Sequence, residues 1–247
     1  MKITQLCGRG TIMAVLAVVV PVFGLAVETP SVAVSAMFKS RKVERGLVEN
    51  REPGFGWEAE IEWYGFRGGF EACHDMTDID GRRGRFNELE TSDGYEYAPF
   101  EWLEVAADYI YKHEADGHTQ ELEAEGRFPL PLCVPFCRMN VDVDETPGAL
   151  YGVFGVFRDI VVLVVLTITP TVGIGFGNVR RNEADFECHR DAARDIHAGL
   201  ALDWEVVPHV HLCPSVMLFD QFTTDGRREE LGNGFFCVAG CAVKAPF

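Results

Sequence analysis

The stretch WEAEIEW, Trp57 to Trp63, sets a carboxylate at every second position. Glu58, Glu60 and Glu62 therefore share one face of an extended strand while Trp57, Ala59, Ile61 and Trp63 share the other, a separation that the 3.6-residue period of a helix cannot make. Two environments accept such a strand: a half-buried strand of a soluble sheet with its acids in solvent, or a membrane barrel with its acids in a wet lumen and its apolar face in lipid. The rest of the chain chooses between them.

Twelve segments carry strand character: Val32 to Ser40, Phe55 to Trp63, Phe66 to His74, Phe86 to Tyr97, Trp102 to Lys112, Thr119 to Phe128, Cys137 to Val143, Ala149 to Phe157, Ile160 to Gly175, Ala193 to Trp204, Val207 to Phe219 and Phe235 to Val243. No solenoid repeat, sustained helical period or linker divides them, so a single domain is predicted. After the second strand every other connection is tight: Tyr64-Gly65, Ala98-Pro99, the proline-rich stretch around Pro129 to Pro135, Arg158-Asp159 and Glu205-Val206. Those in between are longer and charged: Arg41 to Gly54, Asp75 to Arg85, Glu114 to His118, Asp144 to Gly148, Asn178 to Ala192 and Asp220 to Gly234. An up-and-down outer-membrane barrel sorts its connections this way, with short turns at the periplasmic rim and long loops outside. A soluble β-sandwich, the alternative, has no reason to.

The strand faces point the same way. Leu103, Val105, Ala107, Tyr109 and Tyr111 oppose Glu104, Ala106 and Asp108; Leu122, Ala124 and Phe128 oppose Glu121, Glu123 and Glu125; Ile196, Ala198, Leu200, Leu202 and Trp204 oppose Asp195, His197 and Asp203. Glu88, Glu90 and Asp142 complete the acids of the inner parity, and with Glu58, Glu60 and Glu62 they form the expected lining of a pore. Aromatics of the apolar parity gather at strand ends, Trp63, Tyr95, Tyr97 and Trp204 beside short turns and Tyr109 and Tyr111 beside a long loop, where interfacial girdles sit. One region departs from this pattern: from Ala149 to Phe176 both faces are apolar until Thr167, Thr169 and Thr171, so a loop or terminus is expected to pack against that wall from inside.

Lys2 and Arg9, the apolar run Ile12 to Leu25 and the small residues of Gly24-Leu25-Ala26 read as a secretory signal over residues 1–26, leaving 27–247 as the barrel. Of the 22 basic side chains in the chain, 20 then face its 38 acids. Such a balance repels phosphate backbones, so nucleic acid is not an expected partner; outer-membrane lipid and small polar or cationic solutes are.

Other chemistry is weakly supported. Seven cysteines outside the signal (Cys73, Cys133, Cys137, Cys188, Cys213, Cys237 and Cys241) cannot all pair, and Cys133 and Cys137 could bond only across a tight turn. His209, His211 and Cys213 share a strand face with metal-ligand residue types but no evident third close ligand, and Asp75, Asp78, Asp80 and Gly81 lack the oxygen spacing and distal Glu of a calcium loop. Ser215 lies four residues from His211, too far along a strand for a nucleophile–base pair. No enzyme activity, cofactor or metal is predicted.

The segment SRKVERG, Ser40 to Gly46, followed by Pro53 and by Thr77-Asp78 two strands later, resembles the TorF-like outer-membrane porin family of Gram-negative bacteria. Ser40, Val43, Arg45 and Gly46 match the S-x-Y-V-x-R-G stretch that closes the first strand in that family, while Lys42 stands where the family has Tyr. The abundance of cysteine, the scarcity of Ser and Asn and the apolar hairpin near residue 160 depart from its pattern. The resemblance implies an outer-membrane barrel and carries over no catalytic residue. The expected function is a narrow, cation-favouring diffusion channel. A plugged barrel serving as a structural or surface-binding protein, and a soluble secreted β-sandwich binding module, are the alternatives.

Overall fold

The computed structural model describes residues 29–246 apart from 41, 45–46, 51–52, 77–85, 115–116, 187–188 and 222–234. The signal segment, Cys188, Phe247 and the family-motif residues Arg45 and Gly46 lie outside the described residues. The elements are β1 (Ser31–Lys39), β2 (Lys42–Glu44), β3 (Leu47–Asn50), β4 (Gly54–Trp63), β5 (Phe66–Asp75), β6 (Phe86–Phe100), β7 (Leu103–Glu114), β8 (Gly117–Arg127), β9 (Val134–Asp142), β10 (Leu150–Phe157), β11 (Ile160–Leu163), β12 (Leu166–Gly177), α1 (Val179–Phe186), β13 (Ala192–Val207), β14 (Val210–Gln221) and β15 (Phe235–Pro246).

Every neighbouring pair is antiparallel, β1 joins β15 to β4, and β10 joins β9 to β12, so the sheet closes on itself and leaves no two-sheet sandwich. β10 and β11 are one strand of this ring. Phe157 faces Thr171 and Ile160 faces Ile168 in unbroken register, with the interruption opposite Pro170, whose ring nitrogen has no hydrogen to donate. Counted so, twelve strands close the barrel. β2 and β3 form a separate hairpin within the β1–β4 connection. Ser40 clasps the seam: its N–H donates to the Ala239 carbonyl at 2.8 Å and its Oγ accepts from the Ala239 N–H at 2.9 Å.

The tight connections sit where their backbone can bend. Tyr64 and Gly65 both have positive φ, 52° and 79°, as a two-residue hairpin turn of the primed type requires. Three turns differ from those predicted. The hairpin expected at Arg158-Asp159 turns at Val164-Val165, because the charged pair marks the break opposite Pro170 within a continuing strand. The turn expected at Glu205-Val206 falls at Pro208-His209, with His209 at φ 65°, and that expected at Ala98-Pro99 falls at Glu101-Trp102 after a register shift between Tyr97 and Phe100. His209 is thereby a turn residue and does not share the strand face of His211 and Cys213. The connection at 115–116, expected to be long, joins β7 and β8 whose last rungs are His113 with His118 and Glu114 with Gly117. Of the acidic stretch Asp75, Asp78, Asp80 and Gly81, all but Asp75 lie outside the described residues.

The two parities separate as expected. Trp57, Ile61 and Trp63 are about half exposed on the outer surface, as are Leu122, Leu200 and Trp204, whereas Glu121 and Asp195, on the inner parity, are fully buried. Phe100 and Trp102 stack at the tight-turn rim with ring centroids 5.1 Å apart. The six described cysteines carry free thiols, with Cys137, Cys237 and Cys241 on the outer parity.

Candidate functional site: the barrel lumen

Register sorts the inner face into two halves. Along β4 to β9 the inward rungs are Glu58 with Glu71, Glu71 with Glu90, Glu90 with Lys112, Asp108 with Glu123, Ala106 with Glu125, and Glu125 with Arg138. Carboxylates this close repel unless cations sit between them. Three arginines of the same parity do so. Arg67 reaches Asp108 at 2.5 Å and Glu96 at 3.1 Å; Arg127 lies 3.8 Å from Glu96 and bonds Glu125; Arg138 holds Glu125 at 2.5 Å and Glu123 at 3.5 Å, and Asn140 donates to Glu123 at 2.7 Å. The result is an unbroken ladder from Arg67 through Glu96, Arg127, Glu125 and Arg138 to Glu123. Gly94 leaves room for the Arg67–Asp108 pair beside this ladder: a Cβ there would overlap the Asp108 carboxylate that Arg67 grips.

The remaining acids of the expected lining take distinct places. Glu58 accepts from Ser35 at 2.8 Å, Glu60 pairs with Lys244 at 2.9 Å, and Glu90 pairs with Lys112 at 3.4 Å. Glu62 and Asp203 are exposed toward the tight-turn end, where Asp203 meets His211 Nδ1 at 2.5 Å, and Glu104 sits half-buried across from Arg127. Glu88 and Glu121 are buried toward the loop end, the latter paired in register with Asp142. Asp142 itself is committed to the loop that follows it: its Oδ1 accepts from the N–H groups of Asp144 and Glu145, and its Oδ2 from that of Thr146.

Along β10 to β15 the inner face carries fewer charges, and a patch of it is apolar or bare. Val153, Phe157, Met217, Phe219 and Phe236 alternate with Gly155, Gly173, Gly175 and Gly199. Phe219 stacks on Phe236 at 5.0 Å and meets the His197 ring at 5.5 Å in a tilted arrangement. The segment that meets the loop end of this wall, at Leu150 and Gly177, is the β12–β13 connection. Asn178 opens α1, its Oδ1 accepting from the Arg181 and Leu150 N–H groups, and Asn182 lies over the inner side of Gly177 and donates to the Gly177 and Arg190 carbonyls.

A β-bulge at the start of β13 then turns two successive side chains, Arg194 and Asp195, into the protein. Arg194 reaches back to Asp185 of α1 at 2.7 Å and lies over the Tyr151 ring at 5.3 Å; Tyr151 Oη donates to Asp195 Oδ2 at 2.9 Å, and Asp195 Oδ1 meets His197 Nδ1 at 2.9 Å. Asp195 was expected in the lining on its alternation alone. Arg67, Arg127, Arg138, Tyr151 and Arg194 were not singled out, although the three ladder arginines share the parity of neighbouring acids and could have been found by it.

The lumen is consequently graded. Inward side chains are buried toward the loop end, at Glu88, Lys112, Glu121, Asn140, Tyr151 and Asp195, and exposed toward the tight turns, at Glu60, Glu62, Ala201, Asp203 and Ser215. Among the described residues no three His, Cys, Asp or Glu side chains converge as metal ligands would.

Solved structures share this barrel. The NanC porin superposes with a TM-score of 0.56 at 9% identity, over 87% of this chain and 98% of that one. The KdgM porin, in complex with disordered oligogalacturonate, gives 0.52 at 10% identity, over 88% and 98%. The COG4313 outer membrane channel from Pseudomonas putida F1 gives 0.52 at 8%, over 88% and 95%. No family model and no curated protein matches the sequence. At these identities the likeness is one of fold, and that fold is the closed β-barrel of Gram-negative outer-membrane porins.

Proposed function

We propose that the chain is an outer-membrane diffusion channel, narrow and cation-favouring, for small polar solutes. Residues 1–26 direct export in this reading, residues 27–247 form one barrel domain, and the outward apolar belt meets lipid. Ser40 and Val43, with Arg45 and Gly46, support grouping it with the TorF-like porins. The observation that carries the proposal is the charge of the inner face: each ladder arginine lies between two carboxylates, and Glu60, Glu62 and Asp203 line the exposed end. Fixed carboxylates on a wall facing water raise the local concentration of cations and the barrier to anions. Oligogalacturonate, held by the KdgM porin, is a polyanion, and an inner face with surplus carboxylate disfavours such a cargo. Twelve strands enclose more space than the eight that side chains fill and less than a sixteen-stranded general porin, so the aperture is small.

Liposome swelling tests this directly. Vesicles carrying the purified barrel should admit amino-acid-sized zwitterions and monosaccharides but exclude trisaccharides. A second reading, a non-conducting surface barrel, is favoured by the complete burial of Glu121 and Asp195 toward the loop end. Swelling no faster than in protein-free vesicles would select it.

A further inference from the structure

We propose that the β11 edge is a docking site for an extended, apolar polypeptide strand of another protein, added to the barrel wall at the tight-turn rim. The proposal assumes a membrane-embedded barrel and is independent of conduction.

Among the described residues β11 is an open edge on an otherwise closed sheet. β9 accompanies β10 as far as the rung Val134–Phe157 and then leaves, because Pro129 and Pro131 have no N–H with which to extend the ladder and Leu130 turns back to donate to the Cys133 carbonyl at 3.1 Å. Among the described residues β11 pairs with β12 alone. From Ile160 to Val165 every residue is apolar and exposed, Val164 completely.

The occupant follows from what this edge lacks. Water would satisfy its backbone N–H and C=O groups but leave Ile160 to Val165 uncovered; lipid would cover the side chains but leave the backbone groups unpaired in hydrocarbon. An extended peptide supplies both, by strand addition. The outer parity of the hairpin, Leu166 and Ile168 beside Trp204 and Leu202, continues the outward apolar belt and so holds the edge at the membrane boundary. A second copy inserted the same way up would present a parallel strand with reversed faces, which does not continue the sheet. Charge selects further. Asp159 accepts from Thr169 Oγ1 at 2.5 Å, while Arg158 is exposed at the base of the edge, so an antiparallel partner strand should carry a carboxylate just after its apolar run.

The test uses the full-length barrel in micelles and a fluorescein-labelled heptapeptide of alternating Val and Thr ending in Glu. Fluorescence anisotropy should rise saturably. Methylating alternate amides along the pairing edge keeps the side chains and removes donors, and should weaken binding at least tenfold; V162P, at the register shift of β11, should do the same while heat-modifiable migration is kept. R158Q should weaken the Glu-ending peptide a few-fold and leave its Gln-ending counterpart unchanged. Equal binding of methylated and unmethylated peptides to the wild-type barrel would mean simple apolar adsorption and overturn the proposal, as would the absence of binding. The methylation arm needs no variant to fold.

Discussion

Tyr151 Oη and Asp195 Oδ2 meet at 2.9 Å from strands that are not neighbours, β10 and β13, across the bare backbone of Gly175 on β12. A Cβ at Gly175 would stand 2.4 Å from that hydroxyl and 2.2 Å from that carboxylate. Gly175→Val should therefore force the pair apart and cost about 1–3 kcal/mol by overpacking. Tyr151→Phe, which removes one donor from a fully buried carboxylate, should cost about 1–3 kcal/mol. Urea unfolding of the micelle-folded protein, followed by tryptophan fluorescence, measures both. Full additivity in the double variant would show that the two sites do not share one contact.

The second link of this network ties a loop to the wall. Arg194 is almost entirely buried and holds Asp185 at 2.7 Å, so Asp185→Ala leaves a buried guanidinium without that partner. Breaking a buried ion pair from one side costs about 3–5 kcal/mol. The loss should appear locally, as faster trypsin cleavage at Arg180 in the first turn of α1 or at Arg190 after it, with the strands still protected. Unchanged cleavage would mean that α1 is held by Asn178 and Asn182 instead.

Membrane insertion should depend on parity at adjacent positions. Ile61→Arg puts a guanidinium on the outward belt and should be destabilising, by an amount that reaches roughly 2–4 kcal/mol at mid-membrane depth and falls toward the rim, while Glu62→Arg, on the exposed inner face, should cost less. The measurement is the folded fraction in micelles, read as heat-modifiable gel migration against urea. Equal penalties would mean that the outer face does not meet lipid.

Alternation made most of this barrel legible, since a period of two leaves no choice of face once one strand is fixed. Glu58, Glu60 and Glu62 fixed the first. What escaped sequence reading were interruptions of that period. Arg158-Asp159 has the composition of a turn but lies inside a strand, because Pro170 across the ladder removes the bond that would have joined it. The bulge that brings Arg194 inward beside Asp195 breaks alternation by one residue and is set by pairing with β12, which the local sequence does not encode. α1 had a local signal, Asn178 ahead of VRRNEADF, but is short and lacks an apolar stripe. The ladder arginines were legible in principle, since they share the parity of neighbouring acids, but which carboxylates each one bridges is set by strand register.

Arg138 tests those counter-charges. It bonds Glu125 and Glu123 together, so Arg138→Gln leaves both carboxylates less neutralised and should shift the channel further toward cations without changing the strand count. Glu62→Gln, at the exposed end, should shift it the other way. The reversal potentials of the two variants should fall on opposite sides of the wild-type value; shifts of the same sign would detach selectivity from the inner carboxylates.

Reversal potential in a planar bilayer holding a tenfold gradient of potassium chloride reads both conduction and cation preference of this barrel. Small discrete conductance steps are expected, with a reversal potential displaced toward the potassium equilibrium value. A displacement toward the chloride value, or a membrane that stays silent with correctly folded barrel inserted, would contradict the proposed cation-favouring channel.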